Sequence, residues 1–196
     1  AVECGGRSQQ DNGNGSLMRI LPLAYLKGKK KDEEGIKLIE DVSSLTHRHK
    51  RSKFACVFYV IFASQLYNGF GKEDAFDYTL AFVHKHCAKE YHEEFFYYKN
   101  VLNKSIIKAN RNQINSTGYV VDTIEAVIWT FFNTGSYEKS VLEAINLGGD
   151  TDTIAALVGG LSGLYYGYKE IPDRWVQNIL RKNEIAEMCR GLELFA

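Results

Sequence analysis

Apolar positions recur along this chain mostly at helical spacing. Ile36, Leu38, Ile39, Val42 and Leu45 predict an amphipathic helix over 33–46. From Lys53 to Tyr67 the apolar residues run nearly all round, the mark of a central, buried helix, and Asn68-Gly69 ends it. A further helix is expected over 73–91, where Ala75, Phe76, Thr79, Phe82 and Val83 alternate with charge. Residues 95–107 read as one or two short helices and 108–117 as a polar loop. Asp122–Phe132 is predicted helical with Asp122 or Thr123 as its cap, and Ser136 opens the next helix. Thr153–Tyr166 is small and apolar, with no polar face, so Ala156, Leu157 and Gly160 are all expected to be buried. Pro172 suits the first position of a last helix. Before these lie a glycine-rich polar stretch over 1–15, an apolar segment over 17–26 broken by Pro22, and a charged loop over 27–34. The sum is about eight helices and no convincing strand: an all-α fold in one domain.

Composition narrows the class. The 196 residues suffice for a core without disulfide staples. With 24 Lys+Arg against 24 Asp+Glu the net charge is zero, which argues against nucleic acid as a partner. The longest apolar run, 54–63, is too short for a bilayer, so no membrane association is expected. Cys4, Cys56, Cys87 and Cys189 are scattered and form no Cys-x-x-Cys pair, which suits a reducing, cytoplasmic setting.

Four segments carry candidate chemistry. In Asn146-Leu-Gly-Gly-Asp150-Thr-Asp152-Thr153, two glycines permit a sharp turn and two carboxylates follow beside a hydroxyl. Asp150, Asp152 and Thr153 together offer hard oxygens suited to Mg2+, Mn2+ or Ca2+. The alternative is that Thr151 or Asp152 merely caps the next helix. Without a cation the two carboxylates repel, so removing Asp150 is expected to leave stability unchanged or raise it. Around Gly13, Asn14, Gly15 and Ser16, either backbone amides open toward an anion or the chain simply turns. His47 follows Ser43-x-x-Thr46, and two-residue spacing from His49 prevents both from sharing one metal on a helix. Gly118-Tyr119-Val120 either presents a ring for stacking or seeds the following helix. His84, His86 and His92 read as solvated surface.

Together these segments resemble the ADP-ribosylglycohydrolases, relatives of dinitrogenase-reductase-activating glycohydrolase. The resemblance rests on Asn-Gly-Asn-Gly-Ser-Leu-Met-Arg at 12–19, Ser-x-x-Thr-His at 43–47, Gly-Tyr-Val-Val-Asp-Thr at 118–123 and Asn-Leu-Gly-Gly-Asp-Thr-Asp-Thr at 146–153, with Gly-Leu-Tyr-Tyr-Gly at 163–167 and Ile-Pro-x-x-Trp at 171–175. It implies an orthogonal all-α bundle and hydrolysis of the bond between ADP-ribose and a modified acceptor. It also implies a two-ion Mg2+ centre, with Mn2+ as a substitute. Asp150, Asp152 and Thr153 would be its C-terminal ligands. Asn14, Gly15 and Ser16 would hold the diphosphate, Met18 would belong to the same substrate-binding set, His47 would sit near the phosphates or proximal ribose, and Gly118, Tyr119 and Val120 would line the adenosine end. No general acid or base is assigned. The family's Gly-Asp-x-x-Gly and Thr-Asp-Asp segments do not occur in these 196 residues. The chain is therefore expected to be a C-terminal part that needs a missing N-terminal segment or a second copy. An inactive ADP-ribose-binding or helical interaction module is the alternative.

Overall fold

The computed structural model describes residues 4–26 and 32–193. Among these, ten α-helices follow one another: α1 (Asp32–Ser44), α2 (Lys50–Tyr67), α3 (Lys72–His86), α4 (Ala88–Tyr91), α5 (Lys99–Leu102), α6 (Val120–Phe132), α7 (Tyr137–Asn146), α8 (Thr151–Tyr166), α9 (Asp173–Gln177) and α10 (Lys182–Glu193). Short 3-10 turns cover Leu17–Arg19 and Leu21–Tyr25. There are no strands among the described residues, only two isolated bridges. Of the loop expected over 27–34, residues 27–31 lie outside the described residues, and Asp32–Glu34 open α1.

Helix α2 is the axis of the bundle. Every residue from Phe54 to Leu66 is buried, and α1, α3, α6 and α8 pack around it. Phe62 meets Phe76 of α3 and Phe131 of α6 edge-on, at 5.5 and 5.7 Å between ring centroids. Tyr59 of α2 donates to the Leu157 carbonyl of α8 at 2.9 Å. Gly160 allows that approach: a Cβ there would lie 2.7 Å from Leu21 Cδ2 and 3.0 Å from the Tyr59 hydroxyl. At the far end of α6, the half-buried Lys72 ammonium donates to the carbonyls of Phe131 and Thr134 and to the Tyr166 hydroxyl. It thereby caps the helix and ties it to α8.

Three element boundaries and the burial of one helix differ from the sequence pattern. The single helix expected over 73–91 breaks at Cys87, letting both Cys87 and Tyr91 enter the core. Tyr91 there donates to Glu40 of α1. Helix α6 starts at Val120 rather than after Asp122, because the Val120 amide donates to Asn12 O and Thr123 Oγ1 donates back to Tyr119 O. Pro172 is the cap of α9, one position before the helix, and Arg181 at φ +60° separates α9 from α10. Finally, α8 is not closed on every side: Leu157 is buried and Gly160 is pressed against Leu21, but Ala156 is exposed. Ala156 stands one turn beyond exposed Asp152 on the same face, so the helix is open where its acidic head is open.

Candidate functional site

The loops that enter α6 and α8 meet the 12–16 loop at one end of the bundle. Gly13 and Tyr119 form an antiparallel bridge: the Asn14 amide donates to Gly118 O at 3.1 Å, and the Val120 amide donates to Asn12 O at 3.0 Å. Asn12 is itself held underneath, its side-chain oxygen accepting from Ser52 Oγ of α2 at 3.0 Å. On the other side, the Asp150 amide donates to Ser116 O at 2.8 Å. Gly148 and Gly149 take φ of +81° and +64° to make that turn. A Cβ on Gly149 would sit 2.1 Å from Ser116 O, so a side chain is excluded by both backbone conformation and space.

Side chains complete the junction. Asn14 Nδ2 donates to Asp150 Oδ2 at 2.6 Å and to Thr123 Oγ1 at 2.9 Å, while Thr153 Oγ1 donates to Asp150 Oδ1 at 3.0 Å. The Asn14 bond, followed by that from Thr153, outweighs burial and holds the Asp150 carboxyl below its ordinary range, so it is anionic at neutral pH. Asp150 is the N-cap residue of α8. The sequence-level choice of Thr151 or Asp152 as cap is thus corrected by one or two residues, the φ-positive glycine pair having placed the turn earlier.

His47 closes the opposite wall. Its ring lies against the two glycines of the 12–16 loop: a Cβ on Gly13 would come within 3.3 Å of Nε2, and one on Gly15 within 2.9 Å of Cε1. These glycines leave room for an imidazole. Burial, then the Arg19 charge, push its pKa below the usual histidine value, with Asp11 opposing. His49 plays a separate part, capping α2 by accepting from the Arg51 amide at 3.1 Å. Tyr119 is half-buried, and its hydroxyl accepts from Arg51 at 3.1 Å.

All four segments singled out from sequence therefore lie around one junction. Their side chains do not all face it. Ser16 is fully buried with its hydroxyl 3.4 Å from Cys56 Sγ, and Val120 is fully buried in the core. Only the backbone of these two can serve a ligand. Met18 is half exposed beside the loop, and Gly118 is exposed, its Cα so placed that a Cβ would lie 3.5 Å from Asp150 Oδ2. Since the Asn14 amide is spent on Gly118, an anion at this loop would meet the neighbouring amides instead. His84 and His92 are exposed, and His86 is half-buried against Phe82.

Comparison with known proteins now bears on this junction. Residues 2–196 match the ADP-ribosylglycohydrolase family. The chain belongs to that family. It is 28% identical over 192 residues to the ADP-ribosylarginine hydrolase Tri1 of Serratia proteamaculans, covering 96% of this chain and 48% of that one. It is 32% identical over 178 residues to the ADP-ribosyl-[dinitrogen reductase] glycohydrolase of Rhodospirillum rubrum, covering 90% and 54%. A solved structure titled ADP-ribosylglycohydrolase-related protein complex superposes with a TM-score of 0.76 at 24% identity, over 95% of this chain and 61% of that one. The all-helical architecture is thus the ADP-ribosylglycohydrolase fold. The chain spans about half the length of the curated relatives it matches.

The donors at the head of α8 are hard oxygens only. Asp150 keeps lone pairs beyond its two hydrogen bonds, Asp152 is exposed, and the Thr153 hydroxyl, having given its proton to Asp150, keeps its oxygen lone pairs. This set fits part of a Mg2+ or Mn2+ shell. Among the described residues no three His, Cys, Asp or Glu side chains converge on one point. The network also revises one sequence expectation. Asp150 is a structural acceptor for two partners, so Asp150→Ala in the metal-free chain should cost about 1–3 kcal/mol through the lost bonds from Asn14 and Thr153. Urea denaturation checks it; an unchanged or raised midpoint would mean that repulsion between Asp150 and Asp152 dominates.

Proposed function

We propose that this chain forms the ligand-handling part of a hydrolase that removes ADP-ribose from a modified acceptor through its N- or O-glycosidic bond. The observation that carries this reading is the Asn14–Asp150–Thr153 junction, which joins residues 136 apart in sequence around an open acidic head. The names of the relatives, an ADP-ribosylarginine hydrolase and an ADP-ribosyl-[dinitrogen reductase] glycohydrolase, support the substrate class.

In this reading the amides of the 12–16 loop receive the diphosphate, His47 donates to an adjoining oxygen, and the Tyr119 ring lies against the adenosine end. Asp150, Asp152 and Thr153 hold Mg2+, which when bound supplies Lewis-acid stabilisation of charge at the ribose. The junction keeps these donors in place: Asn14 and Thr153 fix the Asp150 carboxylate, and Gly149 fixes the turn ahead of it. Three donors leave half of an octahedral shell to water or to residues outside those described.

One observation favours a narrower role for these 196 residues alone. With no third acidic or imidazole side chain beside Asp150 and Asp152 among the described residues, the chain should bind ADP-ribose without turning over. Incubating it with ADP-ribosylated arginine and excess Mg2+ is expected to release no ADP-ribose. Release at rates that Asp150→Ala abolishes would overturn the ligand-handling assignment and make the chain a complete enzyme.

A further inference from the structure

Arg19, at the end of the Leu17–Arg19 turn, makes three hydrogen bonds. Its guanidinium donates to Gly15 O at 2.8 Å, to Val42 O at 3.0 Å and to Thr46 Oγ1 at 2.8 Å. It thus ties the ligand loop to the C-terminal end of α1. The Thr46 hydroxyl has one proton, and Arg19 fills one of its acceptor positions. Its other side-chain partner is His47 Nδ1, at 2.8 Å. If Nδ1 carried a proton, the hydroxyl would accept twice and its own proton would have no partner in this pair of contacts. If the hydroxyl donates to Nδ1, its proton is used within the contacts shown. The second arrangement also keeps a second positive charge away from the guanidinium.

We infer that Arg19 and Thr46 are positioning residues that hold His47 as a neutral imidazole with its proton on Nε2. The ring's Nε2–Cε1 edge is the one that faces Gly13 and Gly15. The Arg19–Thr46 pair therefore makes His47 a hydrogen-bond donor toward whatever oxygen the loop receives, and removes it as a base toward that oxygen. The charged groups that act on the ring are Arg19 and Asp11. The same guanidinium that polarises Thr46 pins Gly15 O, so loop position and proton position are set together.

The assignment of a ligand oxygen rests on the ADP-ribose reading; the tautomer does not. Nitrogen-15 NMR of the His47 ring in the free chain reads the tautomer directly. Wild type is expected to show a protonated Nε2 and a bare Nδ1 at neutral pH. Thr46→Val should lose that preference and weaken ADP-ribose binding about tenfold, the worth of one well-placed hydrogen bond. Thr46→Ser, which keeps the hydroxyl, should retain the tautomer and bind within about twofold. A proton on Nδ1 in wild type, or a Thr46→Val ring unchanged from wild type, would overturn the inference. If wild type fails to bind ADP-ribose at all, the functional reading falls and the NMR result alone decides this one.

Discussion

Glu94→Ala is expected to cost about 3–5 kcal/mol of folding stability, because it strands a buried guanidinium. Arg51 and Glu94 are each 6% exposed, and Arg51 Nε donates to Glu94 Oε2 at 2.8 Å. The guanidinium is further enclosed by the Tyr97 ring, whose centroid is 3.4 Å from its central carbon. Tyr98 donates to the Arg51 carbonyl beneath it. With the carboxylate gone, the guanidinium keeps the Tyr119 hydroxyl and the Tyr97 ring, neither of which balances its charge. A loss of that size is a large fraction of the roughly 5–15 kcal/mol that holds a domain together. Replacing both residues by methionine should cost far less than either single change, since no unpaired charge is left buried. A urea-denaturation cycle on wild type, the two single variants and the double variant measures this. Single-variant losses below about 1 kcal/mol would mean that the pair is screened like a surface salt bridge. The consequence reaches the site, because Arg51 also holds the Tyr119 hydroxyl.

Gly149→Ala should be the most damaging change in the acidic segment, at roughly 2–4 kcal/mol from backbone strain plus steric overlap. The residue has φ of +64°, and its added methyl would lie 2.1 Å from Ser116 O and 2.9 Å from Ser116 Oγ. The hydroxyl could rotate aside, but the carbonyl is backbone and cannot. To relieve the overlap, the 146–150 turn must leave the 116–118 loop and break the bond from the Asp150 amide to Ser116 O. The Asp150 carboxylate would then part from Asn14. Gly148→Ala is the matched control: its φ of +81° carries the conformational penalty alone, since nothing lies within 4 Å of the added methyl. Gly149→Ala should therefore lose distinctly more stability than Gly148→Ala, read by thermal and urea unfolding. Equal losses would show that space at Ser116 is not what selects glycine at 149.

Much of the helical framework is legible in the sequence, because hydrophobic burial itself generates the pattern. Phe54–Ala63 is apolar all round, and it is the axis of the bundle. Ser136 caps α7 as its position suggests, accepting from the Lys139 amide. What the pattern does not contain are boundaries set by contacts far away in the chain. The start of α6 depends on Asn12, and the break at Cys87 depends on the partnership of Tyr91 with Glu40. At the candidate site, the residues with special chemistry stand out: paired aspartates, paired glycines and His47. Those that hold them do not. Arg19 and Thr123 stand at the ends of two motifs, but nothing in the motifs says what they hold, and the Arg51–Glu94 pair looks like ordinary helix residues until the fold brings it to the site. Ser16 and Val120 illustrate the converse, since adjacency in a motif does not say which way a side chain points.

The central claim is that the 12–16 loop, His47, the 118–120 turn and the head of α8 form one ADP-ribose site. Calorimetric titration of ADP-ribose into the 196-residue chain with Mg2+ present tests it most directly, run beside Asn14→Ala. The account predicts saturable one-site binding to wild type and about tenfold or greater weakening in Asn14→Ala, which loses the amide joining the loop to Asp150 and Thr123. No heat of binding from a folded wild-type chain, or equal affinity for the two proteins, would contradict it.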